Sequence, residues 1–309
     1  MKIVFFGTPD FAAKSLETLL LMSNHQIVAT VTAPDHIGGR GGKQLIQSHV
    51  KKLALDYNIP ILQPEKLRNK EFLQTLEDLQ ADLFIIVAFR MLPEVVWSMP
   101  PKGSFNLHGS LLPKYRGAAP INWAIINGEK TTGITIFKLQ NAIDTGDVLL
   151  QKTLAIHDTD NFGTMYDKMK DLGAHALIEA LQMIQEEVDY YPQDDAVASH
   201  APKIFHKDCK INFSQNSREV FNFIRGMSPY PGAWTIINQK ECKILESVIY
   251  NEGQLGSPGK INTDQKKWLR IQTRDGEIEI VSLKMSGSKQ MLTKDFLSGN
   301  QINELSVRD

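Results

Sequence analysis

The 309-residue chain lacks most of the features that would place it outside the ordinary globular proteins. Its two cysteines, Cys209 and Cys242, fit no metal-ligand spacing, and no disulfide framework is expected from them. The net charge is only -1, and 42% hydrophobic with 22% charged residues is typical of a soluble globular protein. No stretch of about 18 apolar residues occurs, and Ile3 to Phe6 is too short for a secretory signal. We therefore expect a cytoplasmic protein with no membrane partner.

Nucleotide-binding and metal motifs are also missing. The first apolar strand is followed by Gly7-Thr8-Pro9-Asp10, which has one glycine where a dinucleotide-binding fold carries G-x-G-x-x-G. The glycine-rich loop that binds the pyrophosphate of a dinucleotide is therefore absent, which disfavours an NAD-dependent dehydrogenase. There is no P-loop and no cluster of His, Cys, Asp and Glu with metal spacing, so we expect no metal.

Apolar strands alternate with amphipathic helices through the first 190 residues. This alternation predicts an α/β fold with a Rossmann-like, doubly wound, mostly parallel sheet. The patterns predict strands at 2–6, 26–33, 59–62, 83–89, 104–108, 134–139 and 148–154, and helices at 8–22, 47–57, 70–79, 119–126 and 162–187.

The pattern changes after residue 189. Residues 190–202 combine proline, aspartate and small residues, which indicates an interdomain linker. Short β-rich runs divided by glycine and proline then predict a small β-barrel as a second domain. Residues 203–309 hold 16 Lys and Arg against 12 Asp and Glu, or +4, which leaves 18 against 23, or -5, for residues 1–202. The second part of the chain is thus the better partner for a polyanion.

Three side chains could act together on a carbonyl group. Asn106 and His108 alternate with apolar residues at a strand end and share one face, at the sheet edge where open α/β proteins bind ligands. The Asn106 amide and a protonated His108 could hold the oxygen of a carbonyl under attack. Asp144, beyond the strand at 134–139, could favour protonated His108 and collect a proton. The set suits acyl transfer, although a structural histidine and a plain Asp-Thr-Gly turn are the alternative interpretation.

Two further segments leave alternatives open. Ser110 could suggest a Ser-His-Asp hydrolase, but its surroundings lack the second glycine of a nucleophile elbow, so we assign it a loop or binding role. Residues 36–44 are basic and have four glycines in five positions. Such an insertion either folds onto an anionic substrate or is a surface loop with no role.

Several segments, taken together, closely resemble the methionyl-tRNA formyltransferase family. The resemblance rests on Gly7-Thr8-Pro9-Asp10-Phe11-Ala12, on Asn106-x-His108-Gly109-Ser110-Leu111-Leu112-Pro113-x-x-Arg116-Gly117-Ala118-Ala119-Pro120-Ile121 and on Asp144-Thr145-Gly146-Asp147. It extends to Ser228-Pro229-Tyr230-Pro231-Gly232-Ala233-Trp234 and to residues 291–297, so it covers nearly the whole chain.

This resemblance implies a two-domain enzyme. The formyltransferase domain would occupy residues 1–189, the linker 190–206, and an OB-like β-barrel that helps to hold tRNA 207–309. The formyl group of 10-formyltetrahydrofolate would pass to the α-amino group of methionine on initiator tRNA, for translation initiation. The family resemblance thus gives a folate co-substrate and a tRNA partner, and we expect a monomer.

The resemblance also assigns roles to individual residues. Asn106, His108 and Asp144 take the catalytic positions, while Arg40 and Lys43 belong to the insertion that binds the tRNA acceptor stem. The folate-side residues are Ser110, Leu111, Leu112 and Pro113 in one loop and Phe89, Arg90, Met91 and Leu92 in another. Arg90-Met91 departs from the glycine-bearing form of this segment, which affects the expected pterin contacts.

Other functions remain as alternatives at this point. A sugar-amine formyltransferase or a formyltetrahydrofolate hydrolase could use the same three side chains, with a sugar amine or water as nucleophile. The basic insertion and the +4 second domain favour tRNA. A noncatalytic RNA-binding module would bind RNA independently of Asn106 and of folate.

Overall fold

The computed structural model describes residues 1–38, 42, 44–253, 256–303 and 306–307. Contacts divide the chain into two compact units. The first consists of Met1–Gly117, Gly133–Leu154 and Asp167–His200, and the second of Ala118–Thr132, Ala155–Tyr166 and Ala201–Asp309. The division into domains at 1–189 and 207–309 with a linker between them stays a prediction.

The strands of the first 201 residues are β1 (Lys2–Gly7), β2 (Gln26–Val31), β3 (His36–Gly38), β4 (Gln44–Ile46), β5 (Ile61–Leu62), β6 (Leu83–Val87), β7 (Ser104–His108), β8 (Arg116–Gly117), β9 (Thr131–Lys138), β10 (Val148–Ala155) and β11 (His200–Ala201). The later strands are β12 (Ala233–Ile237), β13 (Lys240–Glu252), β14 (Ile261–Thr263), β15 (Leu269–Gln272), β16 (Gly276–Met285) and β17 (Met291–Leu292).

The helices are α1 (Asp10–Met22), α2 (His49–Asp56), α3 (Lys70–Asp78), α4 (Glu94–Trp97), α5 (Pro120–Ile126), α6 (Phe162–Gln185), α7 (Ser217–Met227) and α8 (Thr293–Gly299). Two short 3-10 helices lie at Asp195–Val197 and His206–Cys209. None of these helices, within the described ranges, is long and apolar enough to cross a membrane.

A seven-stranded sheet in the order β10-β9-β7-β6-β1-β2-β5 forms the centre of the first unit. Strands β1, β2, β5, β6 and β7 run parallel to one another, and β9 runs antiparallel to β7. The predicted doubly wound, mostly parallel sheet is therefore confirmed. All five residues of β6 are buried, as expected for a strand that has both faces of the sheet covered.

One face of this sheet packs against α3. Val4 and Phe6 of β1 and Phe84 of β6 lie in one buried cluster with Phe72 and Leu76 of α3. The rings of Phe6 and Phe84 are 5.2 Å apart between centroids. Alternate residues of each strand thus supply this core, which is the two-residue period that the sequence shows.

The second unit contains an antiparallel half-barrel. Its sheet has the order β12-β13-β16-β15-β14, with β17 paired to β16. The long strand β13 shifts register against β16 at three places, which bends it. The predicted OB-like second domain is confirmed in this form.

Helix α7 covers the half-barrel through residues spaced at helical period. Val220, Ile224 and Met227 are fully buried and pack in one cluster with residues of β13 and β16. Asn216 caps the helix by accepting a hydrogen bond from the Glu219 N–H, and the Glu219 carboxylate accepts one from the Asn216 N–H.

Gly7 gives a test of the close packing at the end of β1. A Cβ atom at this position would lie 2.5 Å from the Ala12 Cβ and 3.1 Å from the Val87 carbonyl oxygen. Because α1 and β6 cannot both move away from β1, we expect Gly7→Ala to lower the free energy of unfolding by about 1–3 kcal/mol. Urea denaturation measures it.

The matched control is Gly299→Ala at the end of α8, where a Cβ would have no neighbour within 4 Å. This variant should unfold at the same urea concentration as the unchanged protein. Equal stability of Gly7→Ala and Gly299→Ala would contradict the packing described for β1.

Candidate active site

The carboxyl ends of three neighbouring parallel strands form the edge at which the site lies. Gly7 of β1 pairs beside Val87 of β6, and Val87 pairs beside Leu107 of β7. The chain leaves β7 after His108, so three loops begin side by side along this edge. Ligands of open α/β sheets bind in this position.

Asn106 and His108 lie two residues apart on β7 and project from the same face. His108 is buried and Asn106 is half-buried. In the part of the chain that the structure describes, the side-chain amide of Asn106 has no hydrogen-bond partner. Its N–H groups are thus available to the oxygen of a ligand.

The imidazole of His108 lies between two oxygen atoms. Its Nε2 is 2.9 Å from the main-chain carbonyl oxygen of Tyr115. A carbonyl oxygen only accepts, so Nε2 carries a proton and donates it there. Its Nδ1 lies 3.7 Å from Oδ2 of Asp144, a distance that makes an ion pair when Nδ1 is also protonated but is too long for a hydrogen bond.

Asp144 is held in an unusual backbone conformation. Its φ angle is +55°, in the left-handed region. Its Oδ2 accepts a hydrogen bond of 2.9 Å from the N–H of Gly117. Oδ1 has no partner among the described residues, so one oxygen of this carboxylate is fixed and the other can accept a proton from a substrate.

Gln193 and Arg116 fix the turn that carries Asp144. The Gln193 Nε2 donates to the carbonyl oxygens of Asp144 at 2.9 Å and Gly146 at 2.8 Å. The Gln193 Oε1 accepts from Nε and from a terminal nitrogen of Arg116, at 3.1 Å and 2.8 Å. Arg116 also pairs with Asp195 at 2.7 Å. The turn that carries Asp144 is thus tied to a segment that the sequence pattern assigns to a linker.

The loop after β7 is held by a buried network. The Ser110 hydroxyl donates to the Lys114 carbonyl oxygen at 2.6 Å, so it is a structural group here and not a poised nucleophile. The Thr135 hydroxyl donates to the Ser110 carbonyl oxygen at 2.7 Å and accepts from the Leu112 N–H at 3.0 Å. Among the predicted folate-side residues of this loop, Ser110 and Leu112 are buried, whereas Leu111 and Pro113 are partly exposed.

The second predicted folate segment follows β6, and its four side chains lie in different surroundings. Phe89 packs edge-on against Phe6 with 5.7 Å between ring centroids. Leu92 belongs to the buried core of the sheet. The Arg90 guanidinium donates to the carbonyl oxygens of Glu65 and Pro64. Met91 is 74% exposed, so it is the side chain of this segment most open to a ligand.

Arg40 and Lys43, the residues assigned to tRNA, lie outside the described residues. The chain on either side of them forms the hairpin of β3 and β4, in which Ile37 pairs with Leu45. The insertion therefore leaves β2 at the same carboxyl edge of the sheet as the loops of the site.

Comparison with known proteins identifies the family. The Formyl transferase family profile matches residues 1–181, and the profile of the Formyl transferase C-terminal domain matches residues 203–301. The methionyl-tRNA formyltransferase of Bacteroides fragilis is 47% identical over 314 residues, covering 98% of this chain and 96% of that protein. The chain belongs to the methionyl-tRNA formyltransferase family. The family member of Parabacteroides distasonis is 44% identical, covering 99% of this chain and 98% of that protein.

Solved structures support the formyltransferase fold. The sugar 3N-formyl transferase WlaRD, in the presence of dTDP and 5-N-formyl-THF, is 24% identical with a TM-score of 0.68, covering 94% of this chain and 99% of that one. HypX from Aquifex aeolicus in complex with tetrahydrofolic acid is 19% identical with a TM-score of 0.62, covering 96% of this chain and 47% of that one. At these identities the likeness concerns the fold alone.

The thiols of this family member are poorly suited to attack. Cys209 and Cys242 are both free and buried. Burial raises the pKa of the Cys209 thiol, and it raises the pKa of the Cys242 thiol to about 12. Both therefore stay protonated near neutral pH. In the same described part of the chain, no group of three His, Cys, Asp or Glu residues is placed to hold a metal ion.

Gln193 holds the Asp144 turn through two hydrogen bonds, and the sequence pattern does not reveal it. We expect Gln193→Leu to lower the turnover number by about 10- to 100-fold, because the Asp144 turn loses both of its amide donors and small displacements of catalytic groups have effects of this size. Steady-state kinetics with saturating substrates measures it.

The control for Gln193→Leu is Gln182→Leu, the same change at an exposed position of α6. It should leave turnover unchanged. If the two variants turn over at the same rate, Gln193 does not hold the Asp144 turn in its active position.

Proposed function

We propose that this protein transfers the formyl group of 10-formyltetrahydrofolate to the α-amino group of methionine esterified to initiator tRNA. The observation that carries the proposal is the approach of Asp144 to His108, 3.7 Å apart, beside the unpartnered amide of Asn106. The relatives that cover nearly the whole chain are methionyl-tRNA formyltransferases, which supports the same reaction and substrates. The reaction supplies formyl-methionine for translation initiation.

The nucleophile is the α-amine itself. An α-amino group has a pKa of about 7.7 to 8.0, so part of it is neutral near pH 7 and can attack the formyl carbon directly. A covalent enzyme intermediate is not needed, which agrees with the burial of both thiols. A new N–C bond forms and the formyl oxygen gains negative charge in a tetrahedral intermediate.

Each of the three side chains has one task in this step. The Asn106 amide donates to the developing oxyanion, and Nδ1 of a protonated His108 supplies a second donor, because its contact with Asp144 is too long to be a hydrogen bond. Oδ1 of Asp144 takes the proton that the amine loses. The bond from the formyl carbon to N10 of the folate then breaks, and the proton held by Asp144 passes to N10 as tetrahydrofolate leaves.

The substrates would lie along the carboxyl edge of the sheet. Phe89, Arg90 and Met91 on one side, and the loop that contains Leu111 and Pro113 on the other, have exposed surface for the folate. The buried Ser110 and Leu112 would shape this loop, and Arg90 and Leu92 the other one. Arg40 and Lys43 would pair with acceptor-stem phosphates, as basic side chains do on nucleic acids.

The remaining assignments concern the whole molecule. We place the formyltransferase domain at residues 1–189, the linker at 190–206 and the tRNA-binding domain at 207–309, whose half-barrel belongs to the more basic part of the chain. We further propose a monomer that works in the cytoplasm.

The test uses 10-formyltetrahydrofolate that carries a labelled formyl group. With methionyl-tRNA, the label should appear on the tRNA, and with water alone it should stay on the folate. Asn106→Ala should lower the transfer rate by about 10² to 10³, the usual effect of losing one oxyanion donor.

Two results would contradict the proposal. Release of labelled formate without tRNA would indicate a formyltetrahydrofolate hydrolase. Transfer that is unaffected by Asn106→Ala would remove this residue from the reaction. Asn127→Ala, outside the site, provides the matched substitution, and the rate of this variant should stay within about twofold of the unchanged protein.

A further inference from the structure

Two non-covalent side-chain contacts, a hydrogen bond and an ion pair, join the two ends of the insertion at its base. The hydroxyl groups of Thr32 and Ser48 are 2.7 Å apart, and the ammonium of Lys51 lies 2.5 Å from Oδ2 of Asp35. Each pair joins the chain just before the β3–β4 hairpin to the chain just after it. The hairpin is therefore fixed at its root on both sides.

Gln63 adds hydrogen bonds to both partners of the Lys51–Asp35 ion pair. Its Nε2 donates to Oδ1 of Asp35 and to the Ala33 carbonyl oxygen, both at 2.8 Å, while its Oε1 accepts from Lys51 at 2.9 Å. The side chains of Asp35 and Lys51 are each 17% exposed. We call Asp35, Lys51 and Gln63 the base network.

Hydrogen bonds within the base network keep its carboxylate charged. The hydrogen bond from Lys51, followed by that from Gln63, lowers the pKa of Asp35 below its usual value. At neutral pH the network therefore consists of a full ion pair and an amide that bridges both partners. The charges of Asp35 and Lys51 therefore neutralise each other within the base network.

The base network stands on rigid elements of the sheet. The Thr32 N–H donates to the Leu62 carbonyl oxygen at 3.0 Å, continuing the parallel pairing of β2 with β5. Ser48 caps α2 by accepting from the Lys51 N–H at 2.9 Å. Lys51 is thus held by the first turn of a helix, and Gln63 follows directly on β5.

The hairpin itself has little contact with the rest of the unit. Strands β3 and β4 form a two-stranded sheet of their own. The paired side chains Ile37 and Leu45 are 72% and 59% exposed. With so little of the hairpin buried, its direction depends on how its root is held.

We propose that the base network positions the insertion for methionyl-tRNA, so that Lys51, Asp35 and Gln63 determine how well this substrate is used without touching it. The inference rests on the proposed function. Losing the Lys51–Asp35 contact would leave the chemistry at Asn106 and His108 intact and would lower only the affinity for tRNA.

Removing the charge of Asp35 distinguishes two explanations of tRNA binding: positioning of the insertion by the base network, and long-range attraction between the protein and tRNA. Asp35→Asn makes the chain more positive, so long-range attraction alone would strengthen binding to a polyanion. Loss of the base network predicts the opposite sign, because a misdirected insertion makes fewer contacts. Lys51→Met lowers the charge by one, and Lys52→Met, at the exposed neighbour on α2, does the same without disturbing the network.

The experiment is steady-state formylation with the full chain and the variants Lys51→Met, Asp35→Asn and Lys52→Met. We expect the first two to raise the KM for methionyl-tRNA by about tenfold. The turnover number and the KM for the formyl donor should stay within about twofold in all three. Lys52→Met should resemble the unchanged protein in every constant.

The outcomes are distinct. An unchanged protein that does not formylate methionyl-tRNA would overturn the proposed function and this inference with it. An active protein in which Lys51→Met behaves like Lys52→Met, or in which Asp35→Asn lowers the KM for tRNA, would overturn the inference alone. If thermal melting shows that Lys51→Met does not fold, the Asp35→Asn variant decides: a raised KM for methionyl-tRNA supports the inference, and an unchanged or lowered KM overturns it.

Discussion

The approach of the Asp144 carboxylate to the His108 imidazole is the interaction on which the account depends. The turn can hold this position because Gly146 has no side chain, since a Cβ there would lie 1.7 Å from the Lys138 carbonyl oxygen. The left-handed φ of Asp144 then directs its carboxylate back toward β7. Removing any of these features would leave His108 with one oxygen partner, the Tyr115 carbonyl.

The same arrangement occurs twice in the first compact unit. Gln193 donates through its NH₂ group to carbonyl oxygens of the Asp144 turn and accepts from Arg116, while Gln63 donates to the base of the insertion and accepts from Lys51. Each cation also pairs with an aspartate. Each glutamine amide thus bridges main chain and cation, with its nitrogen and its oxygen both hydrogen-bonded. The Asp144 turn and the base of the insertion are held by the same kind of hydrogen-bonded arrangement.

Local patterns in the sequence predict the fold well, because strand and helix periods depend on neighbours in the chain. The β7 strand and the pairing of Asn106 with His108 on one face follow from simple alternation. Gln193 and Gln63 could not be found this way, since their hydrogen-bond partners are 12 to 77 residues distant in the sequence and follow no period. The main chain of Ser110 and Leu112 is held by hydrogen bonds to Thr135, which belongs to another strand. The roles given to the site residues stay predictions.

The most direct test is a double-mutant cycle on His108 and Asp144, read as kcat/KM for methionyl-tRNA formylation. If the two side chains act as one unit, His108→Ala, Asp144→Ala and the double variant should all be severely slowed, with the double variant within about threefold of the slower single variant. Single effects that multiply in the double variant would show that the imidazole and the carboxylate act independently, and would contradict the account.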